Sequence, residues 1–414
     1  MKELFNDYVQ SLETYIMFQI KQETQRLTPE LTAKGRKPIS LAMGAPVETP
    51  PAFVHEKLIE AIKTEGMHTY TTPKGEAYLL ESIAKRMKTR FGVEMDTKTE
   101  ICSLIGSKEG IANIIRALVN PTTDVSKKDI ILIPDPGYAS YKEMVKVCGG
   151  IGYGVPLTKE NDYMPDLEEL VKSIEKDGYS MNRVKALVIN YPNNPLGAIC
   201  TKEYLKKTVE FCKKYNLLLI SDAAYVDLTF EGAPEASSVF EIEGAKDVAV
   251  EFFSFSKPYS MTGWRIGWVC GNAEAVGVFA KLKSTIDTGI YKPIQKAAAE
   301  ILNSEAGEQY IKEANQRFER KQKIVVQGLK ELGWPMDKLN PPKATFYLWL
   351  PIPSKYKTSK EFTDAVLNKS GVVLVPGNAF GDNGEGWFRM SIVASEEQMH
   401  EVIRRLKEDG FCFE

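Results

Sequence analysis

The residues best suited to chemistry fall in one run, Ser254-Phe255-Ser256-Lys257-Pro258, with Arg265 eight positions beyond the lysine. A lysine is a nucleophile only as the free amine, a form that burial and neighbouring cations favour by lowering its pKa. The stretch before it, rich in Phe and Val (Val248 to Ser254), reads as a buried strand, which argues against a solvated surface lysine. Two serine hydroxyls and a guanidinium suit a phosphate dianion, which arginine grips with two parallel hydrogen bonds. A second chemical position is Asp222, which ends the apolar run Leu217–Ile220 and is followed by Ala223, Ala224 and Tyr225. A carboxylate at the inner end of an apolar strand is costly unless it meets a cation or hydrogen-bond donors. A protonated ring nitrogen would be such a partner; taken alone, an aspartate in this position is more often a helix N-cap or a metal ligand.

Three further turns carry polar or aromatic groups. Tyr191 to Gly197 holds Asn193, Asn194 and two prolines, a rigid turn that presents side-chain amides. Gly106-Ser107-Lys108 opens a helical pattern, where free N–H groups and the helix dipole favour an anion, although Ser107 could be a plain N-cap. Tyr138 follows Pro136-Gly137 and offers a ring for stacking. By contrast, Gly149 to Gly154 lacks the Gly-x-Gly-x-x-Gly spacing and precedes a strand, so it does not read as a dinucleotide loop.

These turns follow short apolar runs that alternate with amphipathic stretches. The strand candidates are Glu100–Ile105, Asp129–Pro134, Ile151–Leu157, Lys185–Asn190, Leu217–Asp222, Val248–Ser254 and Arg265–Cys270. Helical patterns such as Glu109–Val119, Leu167–Ile174 and Lys202–Tyr215 lie between them. The alternation predicts an α/β domain, doubly wound around a mainly parallel seven-stranded sheet, with the last two strands too close for a parallel crossover. In such sheets ligands bind beyond the carboxyl ends of the strands, where these turns lie. Gln295–Leu332 reads as helical with few breakers apart from Gly307, and Thr345–Leu350, Gly371–Val375 and Trp387–Ile392 read as strands of a small α+β unit. The expected division is residues 51–295 as the large domain, with 1–50 and 296–414 forming the small one.

The 414 residues are 43% hydrophobic and 26% charged, an ordinary globular balance. A net charge of −2 offers no general attraction for nucleic acid or an anionic membrane, so any anion site is local. No apolar stretch is long enough to span a bilayer, and Glu3, Asp7 and Glu13 disfavour a signal peptide. The six cysteines form no Cys-x-x-Cys pair and stand at no metal-ligand spacing to the three histidines. A cytoplasmic protein without a metal site is the expectation.

Taken in order along the chain, Tyr70 with Gly75, Ser107-Lys108, Tyr138, Asn194, Asp222 to Tyr225, Ser254 to Lys257, Arg265 and Phe388-Arg389-Met390-Ser391 resemble the fold-type-I, class I and II aminotransferases. The resemblance covers essentially the whole chain and implies a pyridoxal-5'-phosphate (PLP) enzyme that moves an amino group between an L-amino acid and a 2-oxo acid. It implies that Lys257 holds the cofactor and shuttles a proton, Asp222 pairs with the ring nitrogen, and Asn194 and Tyr225 bond the ring hydroxyl. Tyr138 would stack on the ring. Ser107, Lys108, Ser254, Ser256 and Arg265 would hold the phosphate, with Tyr70 reaching in from the second subunit of a homodimer. Arg389 would clamp the substrate carboxylate opposite Gly44. Within the family the chain is similar to the LL-diaminopimelate and alanine/aspartate branches, through Gly106–Ile111, Pro134–Tyr138, Ile286–Ile290 and Thr345–Trp349. Tyr15, Lys283 and Thr285 are then candidates for the distal substrate pocket. Lyases and synthases built on the same lysine chemistry share these motifs.

Overall fold

The computed structural model describes residues 4–414. Its centre is a seven-stranded sheet: β1 (Ile101–Leu104), β2 (Ile130–Asp135), β3 (Ile151–Pro156), β4 (Val184–Ile189), β5 (Leu218–Asp222), β6 (Ala249–Ser254) and β7 (Gly267–Gly271). The spatial order is β1-β7-β6-β5-β4-β2-β3. Pairs among β2 to β6 are parallel, whereas β7 runs antiparallel to both β6 and β1. The β6–β7 connection is too short for a crossover helix, so the chain must turn back on itself there. Every residue of β6 is buried, as expected of a central strand covered on both faces. Alternation along it sends Phe253 into one packing cluster and Phe252 into the other.

Helix α1 (Ile16–Ala33) lies near the N-terminus, and α2 (Ser107–Leu118) starts directly after β1. The long helical stretch expected over Gln295–Leu332 is broken after Ile301, and α3 (Glu305–Glu331) begins anew. The stop is Ser304, whose hydroxyl accepts from the Gly307 N–H at 3.0 Å and caps α3. Gly307 is therefore inside the first turn and not the breaker; a Cβ there would sit 2.5 Å from the Ile301 carbonyl oxygen.

A second, antiparallel sheet has the order β9-β10-β8, with β8 at Tyr347–Pro351, β9 at Val375–Pro376 and β10 at Trp387–Ser391. The strand expected over Gly371–Val375 is split: Val372–Val373 pairs instead with Ile39–Ser40, and Val375 begins β9. The Ser391 N–H also donates to the Leu41 carbonyl at 2.8 Å. An early segment of the chain is thus stitched to its last hundred or so residues, and Ile39 and Leu41 share a core with Phe346, Phe388 and Val402. Ala224, Tyr225 and Leu228, just past β5, enter that same core. The two sheets meet over the carboxyl ends of β4, β5 and β6.

Candidate active site

A cavity of about 340 Å³ opens at this junction. Its lining includes Tyr15, Gly44, Ser107, Lys108, Tyr138, Asn194, Asp222, Tyr225, Ser254, Ser256, Lys257, Arg265 and Arg389. Of the site residues named from the sequence, all but Tyr70, Lys283 and Thr285 therefore converge on one space, although they span positions 15 to 389. The sheet explains the convergence. β1, β2, β4, β5 and β6 end on the same edge, so the turns after them fall side by side.

Lys257 follows β6, and its ammonium donates to the Gly44 carbonyl at 2.6 Å. Burial, with Arg389 beside it, lowers its pKa to about 8, so a free amine is within reach near neutral pH. Asp222 closes β5 and is almost wholly buried. Burial pushes its carboxyl up, and this is opposed by the Tyr141 hydroxyl, which donates to it at 2.6 Å, and by the Ala224 N–H. Asn190 holds the Asp222 backbone, its side-chain amide donating to the Asp222 carbonyl at 2.7 Å, while its own oxygen accepts from the Asn194 N–H at 2.9 Å. One buried asparagine thus ties the two turns together.

Arg389, on β10, is 3% exposed. It donates to the Asn194 side-chain oxygen at 2.9 Å and to the Ala42 carbonyl at 2.6 Å, while its Nε has no partner. Its guanidinium lies 4.4 Å from the centre of the Tyr347 ring and 4.8 Å from that of Phe380. A buried cation with an unpaired donor, held on two aromatic faces and open to the cavity, suits a carboxylate.

On the other side of Lys257, Arg265 is held in the left-handed region at φ 55°, sparsely populated by residues other than glycine and a form of strain that the fold retains here. Its guanidinium leaves no room at Gly106, where a Cβ would approach Nη2 to 2.3 Å. Gly106 immediately precedes α2, so the free N–H groups of that helix, the Ser107, Ser254 and Ser256 hydroxyls and Arg265 border one corner. Lys108 lines the same cavity, its ammonium 5.2 Å from the Tyr15 ring and 5.8 Å from the Tyr138 ring.

The residues fit PLP by their donor chemistry. A glycine-lined anion corner suits the phosphate, a buried carboxylate suits a protonated ring nitrogen, and a low-pKa lysine suits the aldehyde. Four groups of the site were not found from the sequence: Asn190, Tyr347 and Phe380 line the cavity, and Tyr141 supports it through Asp222. Tyr141 sits about one helical turn beyond Tyr138, a spacing that could have flagged it; Tyr347 and Phe380 lie in apolar stretches with nothing to mark them.

Tyr70 is 86% exposed and lies away from the cavity, in a groove shared with Tyr291. Lys283 and Thr285, expected as distal-pocket candidates, do not line the cavity. Lys283 is the last residue of the helix Ala273–Lys283 and turns inward, pairing with Asp287 at 2.7 Å and Glu109 at 3.5 Å. Thr285 is on the surface and caps the same helix end by donating to the Leu282 carbonyl.

Comparison with known proteins agrees with this geometry. The family model for aminotransferase class I and II matches residues 36–406. An LL-diaminopimelate aminotransferase of Moorella thermoacetica is 38% identical over 399 residues, 96% of each chain. LL-diaminopimelate aminotransferase 2 of Trichormus variabilis is 39% identical over 94% of this chain and 96% of its own. Among solved structures, substrate-bound BacF from Bacillus subtilis superposes with a TM-score of 0.90 at 30% identity, covering 99% of this chain and 98% of its own. Thermus thermophilus aspartate aminotransferase with maleate gives 0.86 at 26% identity, covering 98% and 99%. A match this long, over a site assembled from both ends of the sequence, leaves one conclusion: the chain belongs to the class I and II aminotransferases.

Proposed function

We propose that this PLP-dependent aminotransferase takes LL-diaminopimelate as its amino donor and 2-oxoglutarate or pyruvate as its acceptor. The observation that carries the substrate is the near full-length likeness to enzymes of that name. Tyr15 and Lys108 at the cavity wall support it, since they offer polar contacts beyond those a small amino acid needs.

PLP, when bound, supplies a carbonyl that joins amines covalently and a protonated ring that draws electrons from the substrate's α carbon. The residues' own tasks follow from their positions. Lys257 would hold the cofactor and, as a free amine, would carry the proton between the substrate's α carbon and the cofactor's aldehyde carbon. Asp222 would meet the protonated ring nitrogen as a carboxylate, its charge supported by the Tyr141 hydroxyl. Arg389 and Asn194 fix the α-carboxylate, which orients the bond to be broken. Tyr225 and Asn194 would bond the ring hydroxyl, Tyr138 would stack on the ring, and Ser107, Lys108, Ser254, Ser256 and Arg265 would take the phosphate.

The same reading includes a homodimer, in which Tyr70 serves the partner's cavity, and a cytoplasmic location, consistent with six free cysteines. Among the described residues no helix is long and apolar enough to cross a membrane. It also keeps residues 51–295 as the large unit, with 1–50 and 296–414 as the small one; the shared core of Ile39, Leu41 and the small sheet supports this.

The test is a panel of single half-reactions. The yellow cofactor-loaded enzyme is mixed with diaminopimelate, alanine, aspartate, glutamate or an aromatic amino acid, and loss of the visible band is timed. LL-diaminopimelate should react fastest. Faster reaction with alanine or aspartate would reassign the substrate. Arg389→Leu should slow every donor, with kcat/KM falling about a hundredfold or more, the size expected for a lost charge-assisted pair.

A further inference from the structure

Tyr347 joins the two halves of the cavity. It is the first residue of β8, opposite Ser391 of β10, two positions along that strand from Arg389. This register lays its ring under the Arg389 guanidinium, 4.4 Å away. Its hydroxyl lies 2.8 Å from that of Tyr225, and either oxygen can be the donor. Both side chains are buried, and among the described residues no other hydrogen bond satisfies either hydroxyl. The packing at this point leaves little slack: a Cβ on Gly44 would come within 2.8 Å of the Tyr347 oxygen.

A pair of hydroxyls shares one hydrogen bond and leaves one proton to spare. When Tyr347 donates to Tyr225, the proton of Tyr225 is free to point into the cavity at an oxyanion. When Tyr225 donates to Tyr347, the cavity loses that donor. An oxyanion facing Tyr225 selects the first arrangement, and each bond of such a chain polarises the next. Burial raises the pKa of both hydroxyls, so both stay protonated, while the Arg389 charge acts the other way and makes each a better donor.

We infer that Tyr347 is a positioning residue that sets the direction and strength of the Tyr225 hydrogen bond and couples it to the carboxylate clamp at Arg389. The inference rests on the reading above that Tyr225 faces the ring hydroxyl of PLP. It gives Tyr347 two separable jobs: the hydroxyl acts on Tyr225, and the ring supports Arg389.

The experiment titrates the visible absorbance of the cofactor-loaded enzyme against pH, alongside kcat and KM, in Tyr347→Phe, Tyr347→Leu, Tyr225→Phe and the double phenylalanine variant. Tyr347→Phe keeps the ring, so its KM and melting temperature should stay near wild type. Its absorbance midpoint should move up by about half a unit and kcat should fall about fivefold, the scale of one hydrogen bond. Tyr347→Leu should in addition raise KM about fivefold, since the cation loses its aromatic face. The double variant should match Tyr225→Phe, because Tyr347 acts through that hydroxyl. An unmoved midpoint in Tyr347→Phe, beside a shifted one in Tyr225→Phe, overturns the inference alone. Additive effects in the double variant overturn it too. An unmoved midpoint in Tyr225→Phe itself removes the underlying assignment of Tyr225, and the inference with it. Should Tyr347→Phe prove unstable, the same titration on Arg389→Leu decides: the coupling requires its midpoint to rise.

Discussion

Asp222 shows how single residues set the chemistry here. An ionised carboxylate this deep is unfavourable without donors, and the fold supplies two, the Tyr141 hydroxyl and the Ala224 N–H. Removing the Tyr141 hydroxyl leaves the carboxylate with a weaker hold on its charge. Tyr141→Phe should therefore lower kcat about tenfold while the cofactor stays bound, as a hydrogen bond to a charged group would dictate. Unchanged turnover in that variant would make Tyr141 a packing residue. Asp222→Asn should be far more severe, retaining the yellow cofactor but slowing turnover by a hundredfold or more, roughly the cost of an uncompensated ion. Lys257 offers a test by pH. Its free-amine fraction rises with pH and is half complete near 8, not near 10.5 as for a solvated lysine. Uptake of PLP by the cofactor-free protein, followed as growth of the visible band, should accelerate up to about pH 8 and then level off. A rate still climbing steeply at pH 10 would mean that the amine is not buried among cations.

At the scale of elements, β6 carries a second buried acid with no part in the cavity. Glu251 accepts from the Ser221 hydroxyl at 2.8 Å, the Val239 N–H at 3.1 Å and the Ser238 hydroxyl. Burial outweighs these donors and pushes its pKa up to about 7. An acid raised in the folded state favours folding through its protonated form. Its contribution is complete below about pH 4.5 and is lost as pH rises through 7. Glu251→Gln should therefore flatten the stability profile between pH 5.5 and 8.5, with a gain at the alkaline end on the order of 3 kcal/mol by the linkage relation. Thermal melts at the two pH values check it, and a profile as steep as wild type would place the titration elsewhere. The elements also show what the chain discloses unaided. Strands such as β5 and β6 are readable because runs of buried apolar residues end abruptly at Asp222 and Ser254, and a polar residue at such an end must have a partner. Ser304 was hidden because a capping serine in a helix-rich stretch looks like any other serine. Lys283 misled for a related reason: a lysine near a candidate substrate loop says nothing about which way the helix end turns, and here Glu109 and Asp287 draw it inward. Tyr347 was unreadable because only the register of β8 against β10 brings it under Arg389.

At the scale of the whole molecule, the surface around Tyr70 bears on the proposed dimer. Tyr70 and Tyr291 line one groove, with Tyr291 51% exposed. Ile59 and Ile62 are half exposed on the helix Ala52–Lys63, which packs against the helix Lys292–Ile301 that follows Tyr291. Large apolar side chains on this surface suit the contact with a second copy proposed above. If Tyr70 of a second copy reaches this cavity, two-fold symmetry makes the exchange mutual, and the sites are shared. Shared sites make a prediction that independent sites cannot imitate. Lys257→Ala and Tyr70→Ala homodimers should each be impaired, the first inactive and the second weak in cofactor retention. In a mixed dimer one cavity combines both lesions, while the other receives Lys257 from one subunit and Tyr70 from its partner, both intact. Unfolding the two variants together and refolding them should thus restore activity toward a quarter of wild type, because half of the dimers are mixed and half of the sites in those are whole, roughly as random association requires. No gain over the separately refolded parents would place Tyr70 outside the partner's site and return the exposed groove to some other use.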